Sequence, residues 1–195
     1  MSLLEESKVY KPFKYPWAVE YAVSHEKVHW GEWEAKLQED VAQWQGGKLS
    51  AEEKHHITQI LKLFTQSDVQ VGTNYLEYYI PKLKNNEIRA MLTSFANREF
   101  VHQRSYALLN DTLGLPESEF SAFREYKSMA DKVDFMGDID MHSHAGIAKA
   151  IARSVMNEGM SLFSAFAMLL NYQRYGKMRG MCEIVEWSIR DESMH

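Results

Sequence analysis

The sequence predicts an all-α protein, a bundle of four long helices with shorter helices at its edge. Three observations lead to this expectation. Apolar residues recur at helical spacing through four long segments, and Gly, Pro or Asn-Asn breaks separate those segments. No stretch alternates polar and apolar residues in the manner of a half-buried strand, and no short internal repeat is present. Helices with apolar stripes bury those stripes against one another.

The composition bounds the size and location of the protein. A chain of 195 residues can form one domain with a sizeable core, and we expect a single domain over residues 1–195. The net charge of -5 and the lack of a long Lys/Arg run argue against binding to nucleic acid or to an anionic membrane. No apolar stretch approaches the roughly 18 to 20 residues of a membrane span, and no export signal is visible. The only cysteine, Cys182, excludes an intrachain disulfide and fits a reducing cytoplasm.

The first part of the chain should combine an extended arm with two helices. Pro12 and Pro16 disfavour helix, so we expect residues 1–16 to form the arm. Helical periodicity then predicts two helices, at 17–27 and 30–45, and Gly46-Gly47 ends the second.

The next predicted helix carries an acid in an unusual place. Ser50 with Glu53 forms a capping box that opens a helix running to about residue 79. Asp68 follows Phe64 by four residues and therefore lies on the apolar face of this helix. A carboxylate on a buried face needs a partner, which makes Asp68 a candidate functional residue.

Three residues with chemical potential share one face of the helix predicted over 87–109. Glu99, His102 and Tyr106 stand at i, i+3 and i+7. A carboxylate and an imidazole one turn apart form half of a metal site of the kind that helical bundles build in their cores.

The C-terminal part of the chain contains the matching half. A polar helix is expected over 117–129, and an apolar helix over 146–172 is interrupted by Glu158 on its apolar stripe. The last helix, predicted over 178–195, carries Glu192 and His195 as a second Glu-x-x-His. Each feature alone has a simpler explanation, a solvated helix face or a buried acid paired with Arg or Lys. Their combination on four separate long helices favours a metal site.

Together the four long helices supply one acid from each of two helices and a Glu-x-x-His from each of the other two. This is the donor set of the di-iron and di-manganese carboxylate bundles. Four carboxylates balance two divalent cations, and an imidazole adds one neutral ligand to each ion. We therefore expect two metal ions per chain, iron, manganese or one of each. Their predicted ligands are Asp68, Glu99, His102, Glu158, Glu192 and His195.

Along essentially its whole length the chain resembles the small, radical-generating subunit of class I ribonucleotide reductase. Residues 99–106, Glu-Phe-Val-His-Gln-Arg-Ser-Tyr, resemble the metal-binding and radical-tyrosine helix of that family. Residues 190–195, Arg-Asp-Glu-Ser-Met-His, resemble its last ligand motif. The resemblance implies a ferritin-like fold, the six ligands named above, a homodimer, and a separate large catalytic subunit that reduces ribonucleotides.

The resemblance also implies roles for three further residues. Tyr106 holds the place of the stable tyrosyl radical, and Trp30, in Val-His-Trp, matches the radical-transfer tryptophan. Asp191 matches the acid that links this tryptophan to a ligand histidine, here His102. Judged from the residues alone, Tyr106 is equally well a core tyrosine, and Trp30 is more simply a buried indole. Asp191 next to a ligand fits the carboxylate that ligating histidines commonly hydrogen-bond.

Two departures from the family pattern bear on the chemistry. Leu162 stands where many relatives carry phenylalanine, so dioxygen access or oxidation chemistry is expected to differ in detail, with Phe166 shielding the cluster. The family continues beyond the position of His195 with further helices and a tail that docks on the large subunit. We therefore expect weak metal binding from the chain as it stands, because a helix that ends at its ligand frays.

Three alternatives stay open on the sequence. An R2-like ligand-binding oxidase, or another ferritin-like dimetal oxidase, would act alone and would need an apolar substrate channel. A ferritin-like metal store would assemble into a cage, and a purely structural bundle would stay folded in chelator. The pairing of Tyr106 with Trp30 favours the reductase subunit.

Overall fold

A computed structural model describes residues 3–195, and this part of the chain is helical without any β-strand, which confirms the all-α prediction. In chain order the α-helices are α1 (Pro16–Lys27), α2 (Gln38–Gln45), α3 (Ala51–Asn74), α4 (Ile80–Lys82), α5 (Asn86–Thr112), α6 (Lys127–Gly137), α7 (His144–Met156), α8 (Leu162–Leu170) and α9 (Arg179–Glu192). Short 3-10 segments cover Glu32–Glu34, Glu117–Phe120, Ala122–Glu125 and Asn171–Tyr175. No helix in 3–195 is long and apolar enough to cross a membrane.

The bundle consists of four long units, namely α3, α5, α7 with α8, and α9. α3 and α5 pack against each other most extensively, and α1 lies along α5. Apolar side chains fill the interior in two clusters. One surrounds Phe64, Leu109 and Phe166, and the other surrounds Val71 and Phe95. The predicted capping box at the start of α3 is present, since the Ser50 hydroxyl accepts from the Glu53 backbone N–H at 3.2 Å.

Two of the long units contain a π-helical turn. Tyr75–Tyr79 joins α3 to α4, and Asn157–Ser161 joins α7 to α8. A π turn contains one residue more than an α turn and changes the direction in which the following side chains project. Glu158, the acid that interrupts the apolar stripe, lies in the second π turn.

The predicted helix over 30–45 forms only in its second half, as α2. In the segment before it, the Trp30 side chain is buried. The Trp30 carbonyl accepts a hydrogen bond from Arg98 Nη1 at 3.1 Å. In a continuous helix, the same carbonyl oxygen would instead accept from a backbone N–H of the next turn.

The predicted helix over 117–129 is wrong, because the chain there forms two 3-10 segments and α6 starts only at Lys127. Tertiary contacts outweigh the local helical preference in this segment. Phe123 is buried, and the Glu119 carboxylate pairs with Lys62 Nζ on α3 at 2.7 Å.

A buried carboxylate from another helix caps the N-terminus of α9. The two oxygens of Asp40, on α2, accept from the backbone N–H groups of Gly180 at 3.1 Å and Met181 at 2.7 Å. A Cβ added at Gly180 would lie 2.5 Å from the Lys36 carbonyl oxygen, so glycine permits this close approach. Free N–H groups at a helix start need acceptors, and the helix dipole favours an anion there. Asp40 therefore fixes the helix that ends in Glu192.

Replacing Asp40 with alanine should lower the free energy of unfolding by about 2 kcal/mol, because two buried N–H groups lose a charged acceptor. Asp40→Asn retains one acceptor oxygen and should lose roughly half as much. Urea unfolding in EDTA measures both variants without any contribution from metal. Gln45→Ala, at an exposed position of α2, is the control and should change the value by less than about 0.5 kcal/mol. Equal stability of Asp40→Ala and wild type would contradict this capping role.

Candidate metal centre

The structure brings all six predicted metal ligands together in the interior of the bundle. They come from every long unit, and their side chains are buried. Asp68 lies on α3, Glu99 and His102 on α5, Glu158 in the second π turn, Glu192 at the end of α9, and His195 three residues after it.

The ligand atoms form two groups, and the atoms within each group lie within 4.8 Å of one another. The first group contains Asp68, Glu99 and His102, and the second contains Glu99, Glu158, Glu192 and His195. Two carboxylates connect the groups. Glu99 belongs to both, and the two oxygens of Glu192 lie 3.3 Å from His102 Nδ1 and 3.3 Å from His195 Nδ1. This arrangement suits two ions that share bridging carboxylates.

Buried ligand atoms that have no hydrogen-bond partner show that this donor set fits metal ions. Within the described part of the chain these atoms include Asp68 Oδ2, Glu99 Oε1, Glu192 Oε2 and His195 Nδ1. Burying such atoms without a partner is costly, and divalent cations would supply the partners. Carboxylate oxygen and imidazole nitrogen are donors that suit iron and manganese.

Without bound cations, the ionised forms of two buried carboxylates of the cluster are disfavoured. Burial, reinforced by the charge of Glu99, raises the pKa of Asp68 well above its usual range. Burial and the charge of Glu192 raise the pKa of Glu99 to about 7. Two cations at the centre of the cluster would stabilise the ionised carboxylates.

Tyr106 lies one helical turn beyond His102 and is almost fully buried, at 1% exposure. The hydroxyl of Ser188, on α9, donates to the Ile184 carbonyl at 3.0 Å and accepts from the Tyr106 hydroxyl at 2.9 Å. The ring contacts Phe64. Burial, with the charge of Asp68, raises the pKa of Tyr106 well above its usual value, so the phenol stays protonated.

A hydrogen-bonded path joins Trp30 to His102. Trp30 Nε1 donates to Asp191 Oδ2 at 2.7 Å, and His102 Nε2 lies 3.1 Å from the same oxygen. Although burial raises it, the pKa of Asp191 lies below its usual value because His102 and Trp30 hydrogen-bond to the carboxylate. The indole also stacks on the His102 ring, with the ring centroids 5.8 Å apart. The structure thus places together the three residues that the family resemblance connects.

Several residues that contact the cluster were not predicted from the sequence. The Tyr75 hydroxyl, from the first π turn, donates to Glu158 Oε2 at 3.0 Å. His25, on α1, lies 3.3 Å from His195 through their Nε2 atoms. Burial and the charge of His195 lower the pKa of His25 to about 4. These contacts join helices far apart in the chain, and no spacing in the sequence indicates them.

An apolar cleft of about 380 Å³ reaches the side of the cluster formed by Glu158, Glu192 and His195. Its other lining residues include Phe95 and Val155. Leu162 and Phe166 are buried in the apolar core, and Phe166 contacts Phe64 with their ring centroids 5.0 Å apart. The cluster is therefore approached by an apolar cleft on the side of Glu158, Glu192 and His195.

Comparison with known proteins identifies relatives over nearly the whole chain. The family model "Ribonucleotide reductase, small chain" matches residues 7–195. Two probable ribonucleoside-diphosphate reductase small subunits match the whole chain, from Invertebrate iridescent virus 6 at 39% identity and from Invertebrate iridescent virus 3 at 37%. The match covers 58% and 56% of those proteins, so the chain spans little more than half their length.

Solved structures show the same fold. A ribonucleotide reductase R2 subunit from Clostridium botulinum aligns with a TM-score of 0.85 over 97% of this chain and 61% of that one, at 22% identity. The dimanganese(II)-NrdF of Streptococcus sanguinis aligns with a TM-score of 0.86 over 98% of this chain and 67% of that one, at 21% identity. The prediction of a ferritin-like helical bundle is confirmed.

In EDTA, Glu99→Gln should be more stable than wild type at pH 7, by on the order of 2 kcal/mol. The folded-state pKa of Glu99, about 7, lies above its unfolded value, so folding of wild type opposes ionisation between roughly pH 4.3 and 7. The advantage of the variant should therefore shrink as the pH falls towards about 4.3. Urea unfolding at several pH values measures this difference. Glu186→Gln, at an exposed position of α9, is the control for removing a carboxylate. A Glu99→Gln protein less stable than wild type at pH 7 would refute the expectation.

Proposed function

Since this chain belongs to the ribonucleotide reductase small-chain family, we propose that it is the radical-generating small subunit of a class I ribonucleoside-diphosphate reductase. The observation that carries this proposal is one buried constellation. Two linked ligand groups lie beside Tyr106 and are joined through Asp191 to Trp30. The family match does not favour the ligand-binding oxidase or the metal store.

We infer that two metal ions bind to the six clustered side chains. When bound, the metal pair supplies one-electron oxidation with dioxygen as the oxidant. Iron and manganese both suit these donors, and the Streptococcus sanguinis neighbour is a dimanganese protein. The apolar cleft beside Glu158 would admit a small apolar molecule such as dioxygen. The ligands are Asp68, Glu99, His102, Glu158, Glu192 and His195.

Tyr106 is the residue that we propose to hold the radical. Its phenol is neutral, so its oxidation removes a proton together with an electron. Ser188 keeps the hydroxyl in one orientation, because the serine proton is already donated to the Ile184 carbonyl. Burial keeps water and external reductants away from the ring, which favours a long-lived radical.

We propose that Trp30, Asp191 and His102 carry the oxidising equivalent between the cluster and the large catalytic subunit. The Asp191 carboxylate accepts the hydrogen bond from Trp30 Nε1. It can therefore stabilise the Nε1 proton while an electron leaves the indole. Arg98 fixes the Trp30 backbone through its carbonyl. The path is buried, so its hydrogen bonds do not compete with water.

The assembly and location are also part of the proposal. Val69 on α3, Leu76 in the π turn that follows it and Phe100 on α5 are exposed apolar residues, which supports a homodimer that buries them. The large subunit is the second partner. A cytoplasmic location agrees with the single cysteine, Cys182, which is free and buried.

Wild-type protein should bind two Mn(II) per chain, and Glu192→Ala should bind fewer than two, because Glu192 faces both ligand histidines. Metal analysis after equilibrium dialysis against excess Mn(II) provides the measurement, because dialysis also detects weakly bound ions. Glu186→Ala, six residues earlier and exposed, is the control and should retain both ions. Two ions retained by Glu192→Ala would exclude Glu192 as a ligand.

Loading with Fe(II) and dioxygen should produce a tyrosyl radical signal in the EPR spectrum of wild type and no such signal in Tyr106→Phe. Tyr172→Phe, which removes another buried phenol away from the cluster, should keep the signal. Trp30→Phe should also keep it but should lose ribonucleotide reduction when the large subunit is added. An unchanged signal in Tyr106→Phe would show that the radical resides elsewhere.

A further inference from the structure

We propose that His25 is a positioning residue for one of the two metal ions, and that it acts by accepting a hydrogen bond from His195. The inference rests on the proposed function, because it takes His195 as a metal ligand. His25 belongs to α1 and is 1% exposed. α1 supplies none of the six proposed ligands. Through His25 it instead contributes a hydrogen-bond acceptor to one of them.

The two ring nitrogens of His195 face different surroundings. Nδ1 points to the cluster, 3.2 Å from Glu99 Oε1 and 3.3 Å from Glu192 Oε2. Nε2 points away from the cluster, 3.3 Å from His25 Nε2. A nitrogen that binds a cation carries no proton, so a neutral His195 ring carries its proton on Nε2. That N–H needs an acceptor, and His25 Nε2 is in place.

The second nitrogen of His25 completes the arrangement. Its Nδ1 lies 2.9 Å from the hydroxyl oxygen of Ser94, on α5. A neutral His25 that accepts at Nε2 carries its proton on Nδ1 and can donate it to Ser94. The geometry therefore assigns one tautomer to each ring. It also connects the cluster through His195 and His25 to a hydroxyl on α5.

Within residues 3–195, His195 is the one hydrogen-bond partner of His25 Nε2. The ring packs edge to face against Phe95, with the centroids 5.2 Å apart. The Asp191 Oδ1 atom is 4.0 Å from His25 Nε2, which is too long for a hydrogen bond. The charged groups that face His25 are Asp191 and His195 on the α9 side and, more distantly, Arg98 and His102 on α5.

The two proposed ligand histidines consequently have different outer partners. His102 directs Nε2 to the Asp191 carboxylate at 3.1 Å, whereas His195 directs Nε2 to the imidazole of His25. An outer carboxylate raises the basicity of a ligating imidazole, whereas a neutral acceptor orients the ring without adding charge. Loss of His25 should therefore affect only the ion beside His195.

Titration with Mn(II), with free ion measured by EPR, tests this assignment. His25→Phe keeps an aromatic ring but cannot accept, and it should weaken one of the two sites about 10- to 100-fold. The other site should stay within about threefold of wild type. His25→Gln offers an acceptor oxygen and should bind both ions within about threefold of wild type. The matched control His56→Phe removes a histidine that contacts Tyr172, away from the cluster, and should leave both sites unchanged.

Three outcomes would overturn the inference: equal weakening of both sites in His25→Phe, no weakening in that variant, or equal losses in His25→Phe and His25→Gln. Wild-type protein that binds fewer than two Mn(II) would overturn the proposed metal centre and with it the role of His25. Two intact sites in wild type and in His25→Phe would overturn the inference alone.

A second measurement does not depend on metal. Nitrogen-15 NMR of the metal-free protein should show His25 as the neutral tautomer protonated at Nδ1, and protonation at Nε2 would overturn the assignment. Circular dichroism checks that each variant is folded. If His25→Phe does not fold, Ser94→Ala replaces it, because it removes the group that fixes the His25 tautomer. Ser94→Ala should weaken the same single site by a few-fold, and two unchanged sites would overturn the inference.

Discussion

Four carboxylates in the interior of a helical bundle are the constraint on which the rest of this structure depends. Their charges repel one another where water cannot screen them, and burial raises the pKa of Asp68, Glu99 and Glu158. Two bound cations would resolve this conflict. The four long units of the bundle must then keep six donor atoms in register, since a shift of one helix would separate the two ligand groups.

The side chains around the ligands meet this requirement in different ways. Asp40 anchors the start of α9, so the position of Glu192 at its other end is set by a helix of defined length. Asp191 accepts from both Trp30 and His102. A group that holds a ligand thus also belongs to the proposed radical path, and the same burial that protects the radical strengthens these hydrogen bonds.

The sequence was sufficient to predict the features that depend on local spacing. Helical periodicity indicated the long helices, and the two Glu-x-x-His motifs with two isolated acids indicated six residues that the structure brings together. Features set by distant contacts were not predictable. The helix over 30–45 is interrupted because the Trp30 indole donates to Asp191 on α9 and the Trp30 carbonyl accepts from Arg98 on α5. Ser188 contacts Tyr106, and His25 contacts His195, only because the tertiary fold brings them together. The spacing of these residues in the chain does not indicate the contacts.

The π turn at Asn157–Ser161 has a consequence for how such a site can arise. A π turn is equivalent to one residue inserted into a regular α-helix, and one residue corresponds to about 100° of rotation around the helix axis. Without that residue, α7 and α8 could not both keep their present faces towards the core. Glu158 and Tyr75, which hydrogen-bond to each other, both belong to π turns. A one-residue insertion or deletion at either turn would therefore redirect this acid or its phenol partner by about 100° around the helix axis.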